Sequence, residues 1–188
     1  NRMIQYKKYY MPGTKEELLK TIDTIDCTYD ILAGGTDLYA KEKTPFNGAD
    51  AAIDISGIKE FSVIKLKKEE GLITFGSNIC IQQFLEEKVL MENVPILRHA
   101  AIYFADQQIR EMATVGGNVA NSSPSGDTIA PLTALEAVIH TITSKDNKIC
   151  EKETPITEFI TGVGKNLLEK GEVISSISCP VLKEYGCA

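Results

Sequence analysis

The sequence predicts an α+β fold with two lobes of unequal size. Three observations carry this reading. Residues 14–57 run helix, strand, glycine turn, helix, strand, the order of a parallel α/β unit. Residues 61–75 switch to short β-prone runs around a charged turn. The rest mixes short helices with strands and contains no low-complexity segment or long linker. A chain of 188 residues suits one domain or two small lobes with a real core.

The elements follow in order. Thr14-Lys15-Glu16-Glu17 is a capping-box pattern, and Leu18, Leu19, Ile22 and Ile25 follow at helical spacing, which predicts a helix over 15–25. Tyr29 to Ala33 reads as a strand, Gly34-Gly35-Thr36 as a turn, Asp37 to Lys43 as a short helix and Ala51 to Ile55 as a second strand. The two strands are expected to be parallel, with a right-handed crossover between them. The glycine turn then leaves the carboxyl end of a strand, where open α/β sheets place ligands. Phe61 to Leu66 and Leu72 to Phe75 predict an antiparallel hairpin closed by Lys67-Lys68-Glu69-Glu70-Gly71. Helices are expected over 81–88 and from Pro95, which suits a first helical turn. Residues 129–137 read as a short helix running into a strand over Val138 to Thr143, and 144–148 as a turn. Ile156 to Ile160 reads as one helical turn, the glycines at 162, 164 and 171 predict irregular chain, and Val173 to Cys179 alternates like a strand that Pro180 ends.

Composition narrows the function. The formal charge is −6, with Lys and Arg scattered among the acids, so neither nucleic acid nor an anionic membrane is expected as a partner. No apolar run approaches the ~18 residues of a membrane span, and no signal-peptide pattern opens the chain, so the expectation is a cytoplasmic protein. The five cysteines (Cys27, Cys80, Cys150, Cys179, Cys187) are odd in number and show no C-x-x-C spacing. Neither a disulfide framework nor a metal or iron–sulfur site within this chain is expected. His99 and His140 are far apart and read as packing or surface residues.

Two stretches stand out. Ile31-Leu32-Ala33-Gly34-Gly35-Thr36-Asp37-Leu38 and Ala113 to Asp127 each carry a glycine pair with small polar residues. Nothing in the second stretch reads as a core helix. Thr114, Asn118, Ser122, Ser123 and Ser125 offer hydrogen bonds without bulk, and a pyrophosphate would satisfy several N–H and hydroxyl groups there together. No G-x-G-x-x-G follows a strand. Gly162-Val163-Gly164-Lys165-Asn166 fails as a P-loop, because Phe159 and Asn166 stand where glycine and Ser or Thr are needed. The residues alone therefore predict a phosphate-bearing cofactor held between two glycine turns.

These motifs, together with Gln108-Ile109-Arg110, Ser123-Pro124 with Asp127, and Gly171-Glu172-Val173-Ile174, resemble the FAD-binding domain of the molybdenum hydroxylases over about Tyr6 to Pro180. That is the family of xanthine dehydrogenase and carbon monoxide dehydrogenase. The resemblance implies the two-lobed fold of the vanillyl-alcohol-oxidase (PCMH-like) flavoproteins. Residues 1–57 would form a small parallel α/β lobe, 58–180 a larger mixed or antiparallel α+β lobe, and 181–188 a tail or the start of a further domain. It implies non-covalent FAD between the lobes. Ile31, Leu32 and Ala33 lead into the first jaw, where Ala33, Gly34, Gly35, Thr36, Asp37 and Leu38 wrap the pyrophosphate and ribityl region. Ala113, Thr114, Gly116, Gly117 and Asn118 approach from the other side, Asp127 bonds the ribityl or ring region, and Phe104 and Ile174 cover the adenine. Molybdopterin and [2Fe-2S] clusters would lie in a molybdenum-cofactor subunit and an iron–sulfur subunit, which pass electrons to FAD and on to NAD or another acceptor. No catalytic acid or base is expected in this chain. Glu111, Cys80 and Ser125-Gly126 depart from the usual pattern. A self-contained FAD oxidase of the same fold and a flavin-free assembly module are the rival readings.

Overall fold

The structure, a computed structural model, describes residues 6–40, 49–146 and 148–182. Expectations for Lys41 to Lys43, Asn147, Cys187 and most of the 181–188 tail lie outside the described residues. Among those described, the chain runs β1 (Lys8–Tyr10), α1 (Lys15–Thr24), β2 (Tyr29–Leu32), α2 (Thr36–Ala40), β3 (Ala51–Asp54), a 3-10 turn (Lys59–Ser62), β4 (Ile64–Lys67) and β5 (Leu72–Gly76). Five helices follow: α3 (Gln83–Glu86), α4 (Lys88–Asn93), α5 (Pro95–Tyr103), α6 (Gln107–Met112) and α7 (Val115–Asn121). The chain ends with α8 (Ile129–Ala134), β6 (Val138–Lys145), β7 (Lys148–Pro155), α9 (Ile156–Phe159), β8 (Ile160–Gly162), β9 (Lys165–Asn166) and β10 (Val173–Pro180).

Two sheets organise these elements. β3 lies between β1 and β2 and is parallel to both, with Ile53 beside Ile31 and Tyr10. The parallel pair is as expected; β1 is an addition, invisible in the sequence because Lys8-Tyr9-Tyr10 is three residues long. The second sheet is antiparallel in the order β4-β5-β10-β6-β7. The capping box opens α1: Thr14 Oγ1 accepts from Glu17 N at 3.2 Å, while the Glu17 carboxylate reaches Gly13 N at 2.7 Å.

Three local expectations are corrected. The helix predicted over 81–88 divides at Glu87, whose extended backbone separates α3 from α4. Residues 148–155 form a full partner to β6 although they lack apolar alternation; β7 is an edge strand, and its charged side chains suit an open edge. The second glycine stretch contains a helix after all. Thr114 caps α7 by accepting from Gly117 N at 3.1 Å, and Val115 and Val119 bury one face at i, i+4 spacing. Two glycines in a helix cost roughly 1 kcal/mol each against alanine, so the cap and the buried face hold α7, not propensity.

A bulge in β10 joins two cores. The register with β6 shifts between Ile174 and Ser176. An extra residue there puts Ile174, Ile177 and Cys179 on one face and Val173 on the other. The first three enter the large core with Phe75, Phe84, Ile139 and the helices. Val173 and its neighbour Ile142 enter a smaller core with Leu18, Leu19, Ile53 and Phe61.

The thiol of Cys179 is fully buried in this central strand, and burial pushes its pKa up to about 12. Its proton is kept in the folded chain above the ordinary value of 9.0. The stability linked to it is therefore complete below pH 9 and is lost as pH rises towards 12. Iodoacetamide at pH 8, read by peptide mass spectrometry, is expected to leave Cys179 unlabelled in buffer and to modify it in denaturing urea.

Candidate functional site

A cleft of about 610 Å³ opens between the carboxyl ends of the parallel strands and the helices of the larger core. Its first wall is the turn leaving β2. Ile31, Ala33, Gly34, Gly35, Thr36, Asp37 and Leu38 line it, and Leu32 does not. Leu32 is instead part of the sheet, its carbonyl accepting from Ile55 N at 2.8 Å. Gly35 turns the chain at φ +71°, in the left-handed region that favours glycine. Among the described residues the amides of Gly34, Gly35 and Thr36 donate to no protein group.

The second wall is α7 and the loop after it: Ala113, Thr114, Gly116, Gly117, Asn118, Asn121, Ser123, Ser125, Gly126 and Asp127. The backbone amides of the first turn of α7 are not open. Val115 N donates to Ile79 O, Gly116 N to Ser77 O, Gly117 N to Thr114 Oγ1 and Asn118 N to Thr114 O, all within 3.1 Å. The expectation of N–H groups open to a ligand is thus corrected for residues 115–118: α7 uses them for its own cap and for docking on residues 77–79. Asn118 Oδ1 accepts from Thr128 Oγ1 at 2.5 Å, which ties the helix to the segment bearing Asp127.

Phe104, Ile109, Leu168, Val173 and Ile174 supply apolar surface to the cleft. Every predicted site residue except Leu32 therefore meets in one cavity. Residues that the sequence reading did not single out also line it, among them Ser77 and Asn78, while Asn121 and Glu172 come from stretches it named without a role. Ser77-Asn78 follow β5 as a polar break in an apolar run, which is the signal that could have found them. Asn78 Nδ2 donates to Ile55 O at 2.6 Å and Asn121 Nδ2 to Asp37 Oδ1 at 3.0 Å, so polar side chains bridge the two sides. Ser77 Oγ and Asn78 Oδ1 are buried without a protein partner. Of the departures from the family pattern, Cys80 pairs with Thr114 in a β-bridge, Glu111 accepts from Gln107 on the surface, and Ser125-Gly126 line the cleft.

Gly34 and Gly116 are explained by close packing within the protein. A Cβ at Gly34 would stand 1.8 Å from Met112 O, and one at Gly116 2.5 Å from the Ser77 side chain. The two walls touch through bare backbone.

His140 is held by Ser178 Oγ at 2.7 Å and His99 lies edge-on to Tyr103. The described cysteines are free thiols. No group of three or more His, Cys, Asp or Glu comes together among the described residues, and none of their helices is long and apolar enough to cross a membrane.

Unbonded amides at a glycine turn, apolar side walls and a long cleft suit a dinucleotide: donors for phosphate oxygens and surfaces for flat rings. The fold and cleft define an α/β cofactor-binding domain. The chain belongs to the family described as FAD binding domain in molybdopterin dehydrogenase, whose model matches residues 3–182. It is 28% identical over 177 residues to the glyceraldehyde dehydrogenase medium chain of Sulfolobus acidocaldarius, covering 94% of this chain and 60% of that protein. It is 29% identical to the nicotinate dehydrogenase FAD-subunit of Eubacterium barkeri, covering 90% of this chain and 57% of that one. Its structure matches a chain of carbon monoxide dehydrogenase from Hydrogenophaga pseudoflava with a TM-score of 0.87 at 25% identity, over 96% of this chain and 61% of the other. Quinoline 2-oxidoreductase from Pseudomonas putida 86 shares the fold, with a TM-score of 0.88 at 20% identity over 97% of this chain and 61% of that one. The chain thus spans about three-fifths of the relatives it matches.

Gly34→Ala should drive a methyl group into the Met112 carbonyl. The expected cost is about 3 kcal/mol, the upper end of overpacking effects, read as a lower urea midpoint. Gly57→Ala, with open space around it, is expected to leave the midpoint unchanged.

Proposed function

We propose that this chain is the FAD-binding part of the flavoprotein subunit of a molybdenum-containing hydroxylase or dehydrogenase. A molybdenum-cofactor subunit and an iron–sulfur subunit would be its partners, and NAD or another acceptor would take the electrons. The observation that carries the reading is the set of unbonded amides at Gly34, Gly35 and Thr36 facing an apolar-walled cleft. In this proposal residues 1–57 and 58–180 are the two lobes of a PCMH-like flavoprotein, and the cleft is their seam.

FAD bound here supplies redox chemistry that amino-acid side chains lack. The chain's own residues bind and orient it. The amides of Gly34, Gly35 and Thr36 hold the phosphates through neutral dipoles. Phe104 and Ile174 flank the adenine, and Asp127 accepts from ribityl or ring donors. α7 gives the ligand a rigid wall rather than a ring of amides, with Thr114, Gly116 and Gly117 presenting flat backbone and Asn118 a side-chain amide. No side chain of this chain needs to move a proton during electron transfer.

The full chain, mixed with FAD after purification, is expected to take up one equivalent and to quench its fluorescence. Trichloroacetic acid should then leave all the flavin in the supernatant, because the attachment is non-covalent. Absence of uptake, or flavin precipitating with the protein, refutes the corresponding part of the proposal. Affinity capture of the subunit from its native source tests the partners, with molybdenum and iron analyses of the captured complex.

A further inference from the structure

Phe104 reaches the cleft from a strained turn. It ends α5, its N–H donating to Ala101 O at 3.3 Å, and the next residue, Ala105, has φ +39°. An alanine in the left-handed region is uncommon and persists only where its surroundings hold it. The carbonyls of Phe104 and Ala105 also lie past the negative end of α5, where no intrahelical donor is available.

Arg110 supplies what is missing. Its Nη1 donates to Phe104 O at 3.0 Å and to Ala105 O at 3.1 Å, while its Nε donates to Gln82 Oε1 at 2.9 Å. Gln82 is itself fixed at two points. Its N–H donates to Arg110 O at 3.0 Å and its Nε2 to Glu86 Oε1 at 2.8 Å. Asp106 begins α6 by accepting from Ile109 N at 2.9 Å, which aims the helix back over the turn. Arg110 is not among the residues lining the cleft. A planar guanidinium with a fork of donors braces two carbonyls and a side-chain amide in fixed geometry; an ammonium, a point charge without the fork, holds them less fully.

We propose that Arg110 is a positioning residue of the cofactor cleft: it braces the strained Phe104–Ala105 turn and thereby fixes the Phe104 wall against the ligand. This rests on the reading of the cleft as an FAD site. Arg110 touches neither ligand nor reacting atoms, so its effect on binding passes through Phe104.

The test is a double-mutant cycle on the full chain, with FAD affinity from fluorescence titration and urea unfolding of the flavin-free protein measured together. Arg110→Leu is expected to weaken FAD binding roughly tenfold, the scale of one charge-assisted hydrogen bond. Arg110→Lys should recover part of the loss. In a Phe104→Ala background, Arg110→Leu should change FAD affinity no further. Equal weakening in both backgrounds overturns the proposal, as does a lower urea midpoint with unchanged FAD affinity. If Arg110→Leu does not fold, Gln82→Met, which removes the acceptor of Nε and the surface bond to Glu86, enters the same cycle with the same expectations on a smaller scale. A wild-type chain that takes up no FAD overturns the cofactor reading itself, and this inference with it; an effect of Arg110 independent of Phe104 overturns this inference alone.

Discussion

The architecture depends on backbone meeting backbone without side chains between. At Gly34 the chain leaving the parallel sheet lies against the carbonyl of Met112, and at Gly116 the first turn of α7 lies against Ser77. Gly76 makes a third such contact, with the carbonyl of Phe61. Close packing tolerates no extra atom at such points. Each contact carries polar groups with it. Gly116 N bonds Ser77 O, Ser77 N bonds Ser175 O, and Asn78 Nδ2 bonds Ile55 O. The result is a continuous floor running from the parallel sheet through residues 76–78 to the bulge of β10. The cleft is the space above that floor. Its shape is set by contacts inside the protein, which leaves a ligand to meet a surface already formed.

The bulge at Ser175 matters for the same reason. A regular β10 would send Val173 and Ile177 to one face, and the small core would lose the residue that stands opposite Ile142. One extra residue lets a single strand serve both cores, while the Ser175 carbonyl receives Ser77 N in continuation of the unbroken β5–β10 ladder. Ile174, on the large-core face, then sits at the edge of the cleft. The central strand thus positions an apolar wall, an anchor for the floor and the seam between cores.

Much of this was legible from pattern. The capping box at Thr14, the parallel pair around the first glycine turn, the hairpin predicted over 61–75 (its first strand starts at Ile64, after a 3-10 turn over Lys59–Ser62) and Pro95 at a helix start all rest on local chemistry. So was the convergence of Ala33 to Leu38 with Ala113 to Asp127. Three things were not legible. β1 and β7 are strands because a neighbour pairs with them; neither Lys8-Tyr9-Tyr10 nor the charged run from Lys148 carries the period of a half-buried strand. The helix α7 is masked by its glycines, and its cues in the sequence are Thr114 as a cap and Val115 with Val119 at i, i+4 spacing. The purpose of the glycine pairs was assigned to a ligand, whereas Gly34 and Gly116 answer first to Met112 and Ser77. Distance across the fold decides that, and sequence spacing does not carry it.

Charge completes the division of the cleft. Among the described lining residues the only charged side chains are carboxylates: Asp37, Asp127 and Glu172. Among the described residues no lysine or arginine lines it, so those residues would meet a phosphate with neutral dipoles, whose fixed N–H groups need no ordering of a long cationic side chain. Two of the acids are already committed. Asp37 accepts from Asn121, and Glu172 accepts from Thr141 Oγ1 and Glu169 N. Asp127 makes no protein hydrogen bond among the described residues. A free carboxylate repels phosphate and attracts hydroxyl donors. In the proposed FAD site the anionic part of the ligand would lie against the amides of Gly34 to Thr36 and a hydroxyl-bearing chain towards Asp127. In that proposal the orientation of the ligand rests, among the described residues, on three amides and one acid.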